Sequence, residues 1–149
     1  MTTRRIVTID DGDGRGVVES DGAPAMFGGV DSPEGVDIEV MWVVTDAPPD
    51  LGGAVDLDHP AWSLGAVPVG GARWSMLTFY PGARARGMHR THTIDFVQVI
   101  SGEIHLVLSD TEERKLGPGD TVVQRGATHA WENRSDAPCV MSAIMMTAR

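Results

Sequence analysis

A chain of 149 residues with 42% hydrophobic content bounds one domain with a single sizeable core. Its 21 acidic against 12 basic residues, a formal net charge of −9, disfavour nucleic acid and anionic membrane as partners, since both reward clustered Lys and Arg. No apolar run approaches a membrane span, no apolar segment follows Arg4 and Arg5, and the one cysteine, Cys139, precludes an intrachain disulfide, so a soluble, cytoplasmic protein is expected.

Short strands between turn signals fill the N-terminal half. Residues 5–9 read as a strand, the acidic glycine-rich run 10–16 as a turn, and residues 17–20 as the returning strand. Arg15 interrupts the oxygen donors that a calcium loop needs, and no G-K-[ST] follows for a phosphate loop. A plain hairpin is the better reading. Residues 39–45 (E-V-M-W-V-V-T) are apolar on both faces at once, which predicts a strand covered on both sides. From residue 46 to 71 the proline and glycine content predicts a long surface loop draped over the mouth of the fold, with His59 an exposed loop histidine.

Residues 73–80 start the main β-structure and end at the Pro81-Gly82 turn. Arg84 and Arg86 follow; pointing inward, either would hold a substrate carboxylate in a bidentate pair. The centre is M-H-R-T-H-T-I-D-F, residues 88–96, running into I-D-F-V-Q-V-I. On an alternating strand His89, Thr91, Thr93 and Asp95 point together and His92 points away. Ser101-Gly102 makes a tight turn, residues 103–108 return, and Gly117-Pro118-Gly119-Asp120 is a second turn. Residues 121–124 form a short strand, and a loop from Gly126 ends in His129. Two histidines and a carboxylate from neighbouring strands thereby converge. Gln98, Gln124, His105 and Trp131 are further pocket candidates, with Trp131 offering an aromatic wall beside His129. The last strand, residues 138–146, is again apolar on both faces and holds three of the eight methionines. Cys139 within it reads as a small apolar residue. Two such strands without helices to cover them imply an intermolecular sheet contact, hence a homodimer.

These residues resemble the cupin superfamily, whose motifs are G-x5-H-x-H-x3,4-E-x6-G and G-x5-P-x-G-x2-H-x3-N. His89, Thr91, Asp95 and Gly102 fall on the first motif, and Gly126, His129 and Asn133 on the second. Thr91 replaces the second histidine, Asp95 the glutamate and Gln124 the proline, and Gly82 lies one residue further from His89 than the pattern asks. The resemblance implies an all-β cupin jelly-roll barrel, its core in residues 72–149 and the strands and loop of 1–71 packed on it within the same domain.

In metal-binding cupins the four motif residues are three histidines and a glutamate. Here His89, Asp95 and His129 remain, two imidazoles and one carboxylate, a set that suits one divalent transition metal: iron, zinc, manganese or nickel. Thr91 removes one donor and leaves an open position beside the ion. Function classes then stay open. One is a metal-dependent enzyme acting on a small carboxylated or carbonyl compound, by lyase-like enolate chemistry or as an iron-dependent dioxygenase. A second is a metal-free isomerase, epimerase or cyclase in which Asp95 and His89 move protons. A third is a small-ligand-binding module. In the enzymatic readings His89, Asp95 and Thr91 carry the chemistry, and Arg84, Arg86, Gln98 and Trp131 bind substrate.

Overall fold

The computed structural model describes residues 3–28, 34–52, 55–63 and 66–149, apart from the side chains of Arg86 and Ser109. Alternating and β-branched segments pair into three antiparallel sheets. The first is a hairpin of β1 (Arg5–Asp10) and β2 (Gly16–Gly22). Its connecting loop is self-satisfied: the Asp10 and Asp11 carboxylates accept from the backbone N–H groups of Gly12, Asp13, Gly14 and Arg15. That is the plain hairpin the sequence implied.

The remaining strands in chain order are β3 (Ala25–Gly28), β4 (Val36–Val44), β5 (Ala72–Phe79), β6 (Arg84–His89), β7 (Thr93–Ser101), β8 (Ile104–Ser109), β9 (Glu112–Leu116), β10 (Thr121–Arg125), β11 (His129–Glu132) and β12 (Cys139–Thr147). Six form one sheet in the order β10-β7-β12-β5-β4-β3, and four the other in the order β6-β11-β8-β9. Side chains alternate across each strand, so one face of each sheet is apolar and the two faces meet. Phe79, Val97, Val99, Cys139, Met141 and Ala143 from the first sheet pack against Ile104, Leu106 and Trp131 from the second. Each such burial contributes about 1.5–3 kcal/mol for a side chain of Val to Phe size. The result is the expected jelly-roll, with its two sheets facing each other.

Gly102 turns the chain from β7 to β8 at φ +75°, where a Cβ would lie 2.3 Å from Pro138 O and 2.8 Å from Cys139 Cα. Only glycine fits both the conformation and the contact. Asn133 is fully buried, and its Nδ2 donates to the carbonyls of Phe79 and Ala137, both at 2.8 Å, tying the start of the β5–β6 turn to the stretch before β12. These two motif residues are structural.

β4 pairs with β5 along its length and extends the six-stranded sheet. Its outer side is covered from within the chain: Ala61 and Trp62 of a 3-10 turn, Pro60–Ser63, bury against Val40 and Val43. Trp42 meets Trp62 edge-on at 5.7 Å, and the Arg5 guanidinium lies within 6 Å of both rings. The two-sided apolarity of β4 is thus satisfied from within the chain. This part of the loop packs on β4 rather than over the mouth. No helix among the described residues is long and apolar enough to cross a membrane.

Candidate functional site

A continuous strand through residues 88–96 would place His89 and Asp95 on one face of one sheet. Instead β6 ends at His89, residues 90–92 leave the ladder, and β7 begins at Thr93. His89 therefore belongs to the four-stranded sheet and Asp95 to the six-stranded one. They line the same interior cavity from opposite walls.

The cavity holds about 130 Å³ and lies between the sheets. Its walls are mostly apolar, with Val36, Leu77, Phe79, Met141, Ala143 and Trp131 among them, and its polar groups are His89, Thr91, Asp95, His129, Arg73 and Glu34. His89 and His129 are cross-strand partners of β6 and β11, their rings 4.5 Å apart between centroids. His89 Nδ1 lies 3.0 Å from Gly87 O, and His129 Nδ1 lies 2.9 Å from Ala127 O. A carbonyl only accepts, so both Nδ1 atoms are donors, and in the neutral rings both Nε2 atoms keep a lone pair. Burial pushes the His129 imidazole below its ordinary pKa, outweighing the Ala127 hydrogen bond and the nearby Asp95 charge. Trp131 stands edge-on to His129 at 6.0 Å and lines the cavity beside it.

Asp95 is buried, and its Oδ1 has no hydrogen-bond partner among the described residues. Burial raises its pKa, opposed by a hydrogen bond from Thr93 and by the charges of His129, His89 and Arg73. Thr91 lines the cavity and shares a hydrogen bond with Thr93, Oγ1 to Oγ1 2.8 Å. His92, in the stretch between β6 and β7, is exposed and outside the cavity.

Other expected residues fall elsewhere. Ala85 faces the cavity, so its neighbour Arg84 faces out, onto a surface groove shared with Glu113, Glu132 and Arg134. The Arg86 side chain lies outside the described residues. Gln98 sits between the inward Val97 and Val99 and is exposed, which removes it from the substrate wall. His105 also points outward, its Nδ1 3.4 Å from Arg134 Nη1 and 3.7 Å from Glu113 Oε1. Gln124 is buried but does not line the cavity; its Nε2 donates to Ala127 O at 3.1 Å. His59 accepts from Ala61 N at 3.1 Å and caps the 3-10 turn. Arg73 and Met145 are cavity residues that sequence reasoning missed. The available signal was parity, since Arg73 shares a face with Leu77 and Phe79 on β5.

Among the described residues no three His, Cys, Asp or Glu side chains are grouped closely enough to hold a metal ion as they stand. The donor chemistry nevertheless fits one. Two imidazoles meet with Nε2 free and Nδ1 held by backbone carbonyls, as in orientated metal ligands, and a buried carboxylate oxygen lacks a partner.

A two-sheet jelly-roll with paired histidines facing a buried carboxylate across its interior is the architecture of a cupin. Residues 75–146 match the family model described as "Cupin domain". The chain is 35% identical over 142 residues to the phomopsin biosynthesis cluster protein C' of Diaporthe leptostromiformis, covering 90% of this chain and 72% of that protein. It is 32% identical over 130 residues to the cupin-domain-containing oxidoreductase srdB of Neurospora crassa, covering 87% of this chain and 59% of that one. Among solved structures, an RmlC-like cupin from Shewanella frigidimarina superposes with a TM-score of 0.53 at 14% identity, covering 85% of this chain and 86% of that one. A Cupin 2 conserved barrel domain protein from Salinispora arenicola gives 0.52 at 20% identity, covering 77% and 78%. This chain belongs to the cupin superfamily.

Proposed function

We propose that this cupin is a small-molecule enzyme that holds a carbonyl or carboxyl group against His89, His129 and Asp95, with one divalent transition ion as cofactor. The observation that carries it is the histidine pair, close together in the cavity wall with each Nδ1 held by a backbone carbonyl. His89 and His129 would hold the ion through Nε2 and Asp95 through its carboxylate. A bound redox-active ion such as iron supplies electron transfer with O2 or substrate, and zinc, manganese or nickel supplies Lewis-acid polarisation. Relatives named as oxidoreductases support the redox branch. Thr91 leaves room where the family motif has a histidine. Trp131 and the aliphatic walls exclude water and pack the apolar body of the substrate.

A second reading rests on a separate observation. Burial pushes Asp95 up and His129 down, so their proton affinities approach each other. A carboxylate and an imidazole on either side of a bound molecule can take a proton at one carbon and return it at another, giving a metal-free isomerase.

Metal analysis separates the two. Protein purified without chelator, then supplied with iron, zinc, manganese or nickel, should carry about one ion per chain by the ligand-count criterion, and His89→Ala or His129→Ala should lose it with the β-rich fold intact. Wild-type protein with no stoichiometric ion under all four supplies removes the metal reading in favour of proton transfer.

A further inference from the structure

We propose that Met145 is the door between the outer surface and the His89, His129 and Asp95 end of the cavity, and that its bulk limits the size of molecule that passes. The inference deepens the small-molecule reading above and rests on it. Met145 on β12 pairs with Arg73 on β5 on one side and with Asp95 on β7 on the other. Neighbouring strands lie ~4.8 Å apart, so its side chain is rooted one strand away from the buried carboxylate. Arg73, Thr91 and Met145 line the interior cavity and also a groove of about 410 Å³ bordered by the exposed residues Val69, His92 and Ala148. Residues shared by two adjoining spaces are the partition between them. A molecule that crosses this partition at Met145 arrives beside Asp95.

The borders of the groove are tied through the backbone. Thr147, at the end of β12, accepts at Oγ1 from Gly70 N at 2.8 Å, donates from Oγ1 to Pro68 O at 3.1 Å, and donates from its N–H to Gly71 O at 3.2 Å. Ala148 N donates to His92 O at 3.1 Å, which holds the crossing between β6 and β7. Within the partition Thr91 is bonded to Thr93, Oγ1 to Oγ1 at 2.8 Å, and Arg73 has interactions of its own. The Met145 sulfur, a weak acceptor, lies 3.8 Å from Arg73 Nη2, and its unbranched side chain turns about single bonds. Met145 is therefore the part of a fixed frame that can swing. The apolar side chains of Ala66, Val67, Val69 and Ala148 around it suit the hydrocarbon body of a ligand.

Site-resolved histidine labelling tests this. Diethyl pyrocarbonate and the bulkier di-tert-butyl dicarbonate both transfer an alkoxycarbonyl group to a neutral imidazole. The protein is kept in chelator so that no ion shields the rings, and the result then stands apart from whether the site takes an ion or what reaction it runs. Exposed His92 reports arrival at the groove and buried His129 reports passage beyond it, so the ratio of their rates, read by peptide mass spectrometry, isolates the door. Met145→Ala should raise the His129 to His92 ratio about tenfold and let the bulkier reagent through, and Met145→Phe should lower it. Met141→Ala, an equal truncation on the same strand at a residue lining the cavity but not the groove, should leave it near the wild-type value. A ratio that neither Met145 variant moves would overturn the proposal. A folded Met141→Ala protein that matches Met145→Ala would also overturn it, by assigning the effect to a loosened core. Should a truncation fail to fold, Met145→Phe decides alone, and an unchanged ratio removes the door.

Discussion

Gln124 and His129 share one acceptor: the Ala127 carbonyl takes a hydrogen bond from Gln124 Nε2 at 3.1 Å and from His129 Nδ1 at 2.9 Å. The glutamine stands where the family motif has proline, and it fixes the carbonyl that sets the tautomer and angle of His129. Gln124→Ala should therefore weaken ion binding or turnover by roughly 10–100-fold, the usual effect of losing a partner that orients a ligand. Ion titration on a variant shown to be folded checks this; unchanged affinity and turnover would leave Gln124 with packing alone.

Asp95→Asn should stabilise the protein at neutral pH while abolishing its activity. The folded-state pKa of Asp95 lies above its ordinary 3.8 because burial disfavours the ionised form. Between 3.8 and the folded value the native state binds more protons than the unfolded one, so stability from this group falls as pH rises through that window. The asparagine variant has no such loss. Removing a buried, incompletely hydrogen-bonded charge is worth about 1–3 kcal/mol. Urea melts of both proteins at pH 4 and pH 7.5 should show their difference widening toward the higher pH; a constant difference would assign the effect to shape.

Thr91→His would restore the second histidine of the motif at a position that already lines the cavity. It should tighten ion binding and lower turnover, because the new imidazole occupies the space left for substrate. Ion affinity by competition with a chelator and turnover on the same preparation read both arms. Unaltered turnover with tighter binding would show that substrate does not use the space beside Thr91.

The outer face of the six-stranded sheet carries Val123, Phe96, Ile144 and Trp74 in one cross-strand row, each at least 40% exposed. Unlike the outer side of β4, this row is open to a second copy, and a homodimer through it is expected. Light scattering at micromolar concentration should give twice the chain mass, and Phe96→Asp with Ile144→Asp should give the monomer with its strands retained. A monomeric wild type removes the dimer and leaves the fold untouched.

Most strands were legible because their apolar residues alternate or run together between glycine and proline turns. β9 was not, since its E-E-R-K-L segment carries no apolar alternation and lies at a sheet edge. The break at residues 90–92 was also hidden. M-H-R-T-H-T-I-D-F keeps a strand's alternation throughout, and only the pairing of β6 with β11 and of β7 with β12 shows that the chain changes sheets. His89, Asp95 and His129 were found from residue type and spacing, yet their opposition across the cavity follows from that hidden crossing. Arg84 drew attention by its nearness to His89 along the chain, whereas Arg73 reaches the site through strand pairing with Met145.

Cys139 lies fully buried beneath the Gly102 turn, and burial lifts its thiol to about 11. As the sole cysteine of the chain it gives the folded protein almost no thiolate to react, so labelling by a disulfide reagent must wait for the sandwich to open. The rate of that labelling becomes a clock for the opening of the two sheets. Read with and without a bound ligand, it reports how firmly a molecule clasped between the sheets holds them shut.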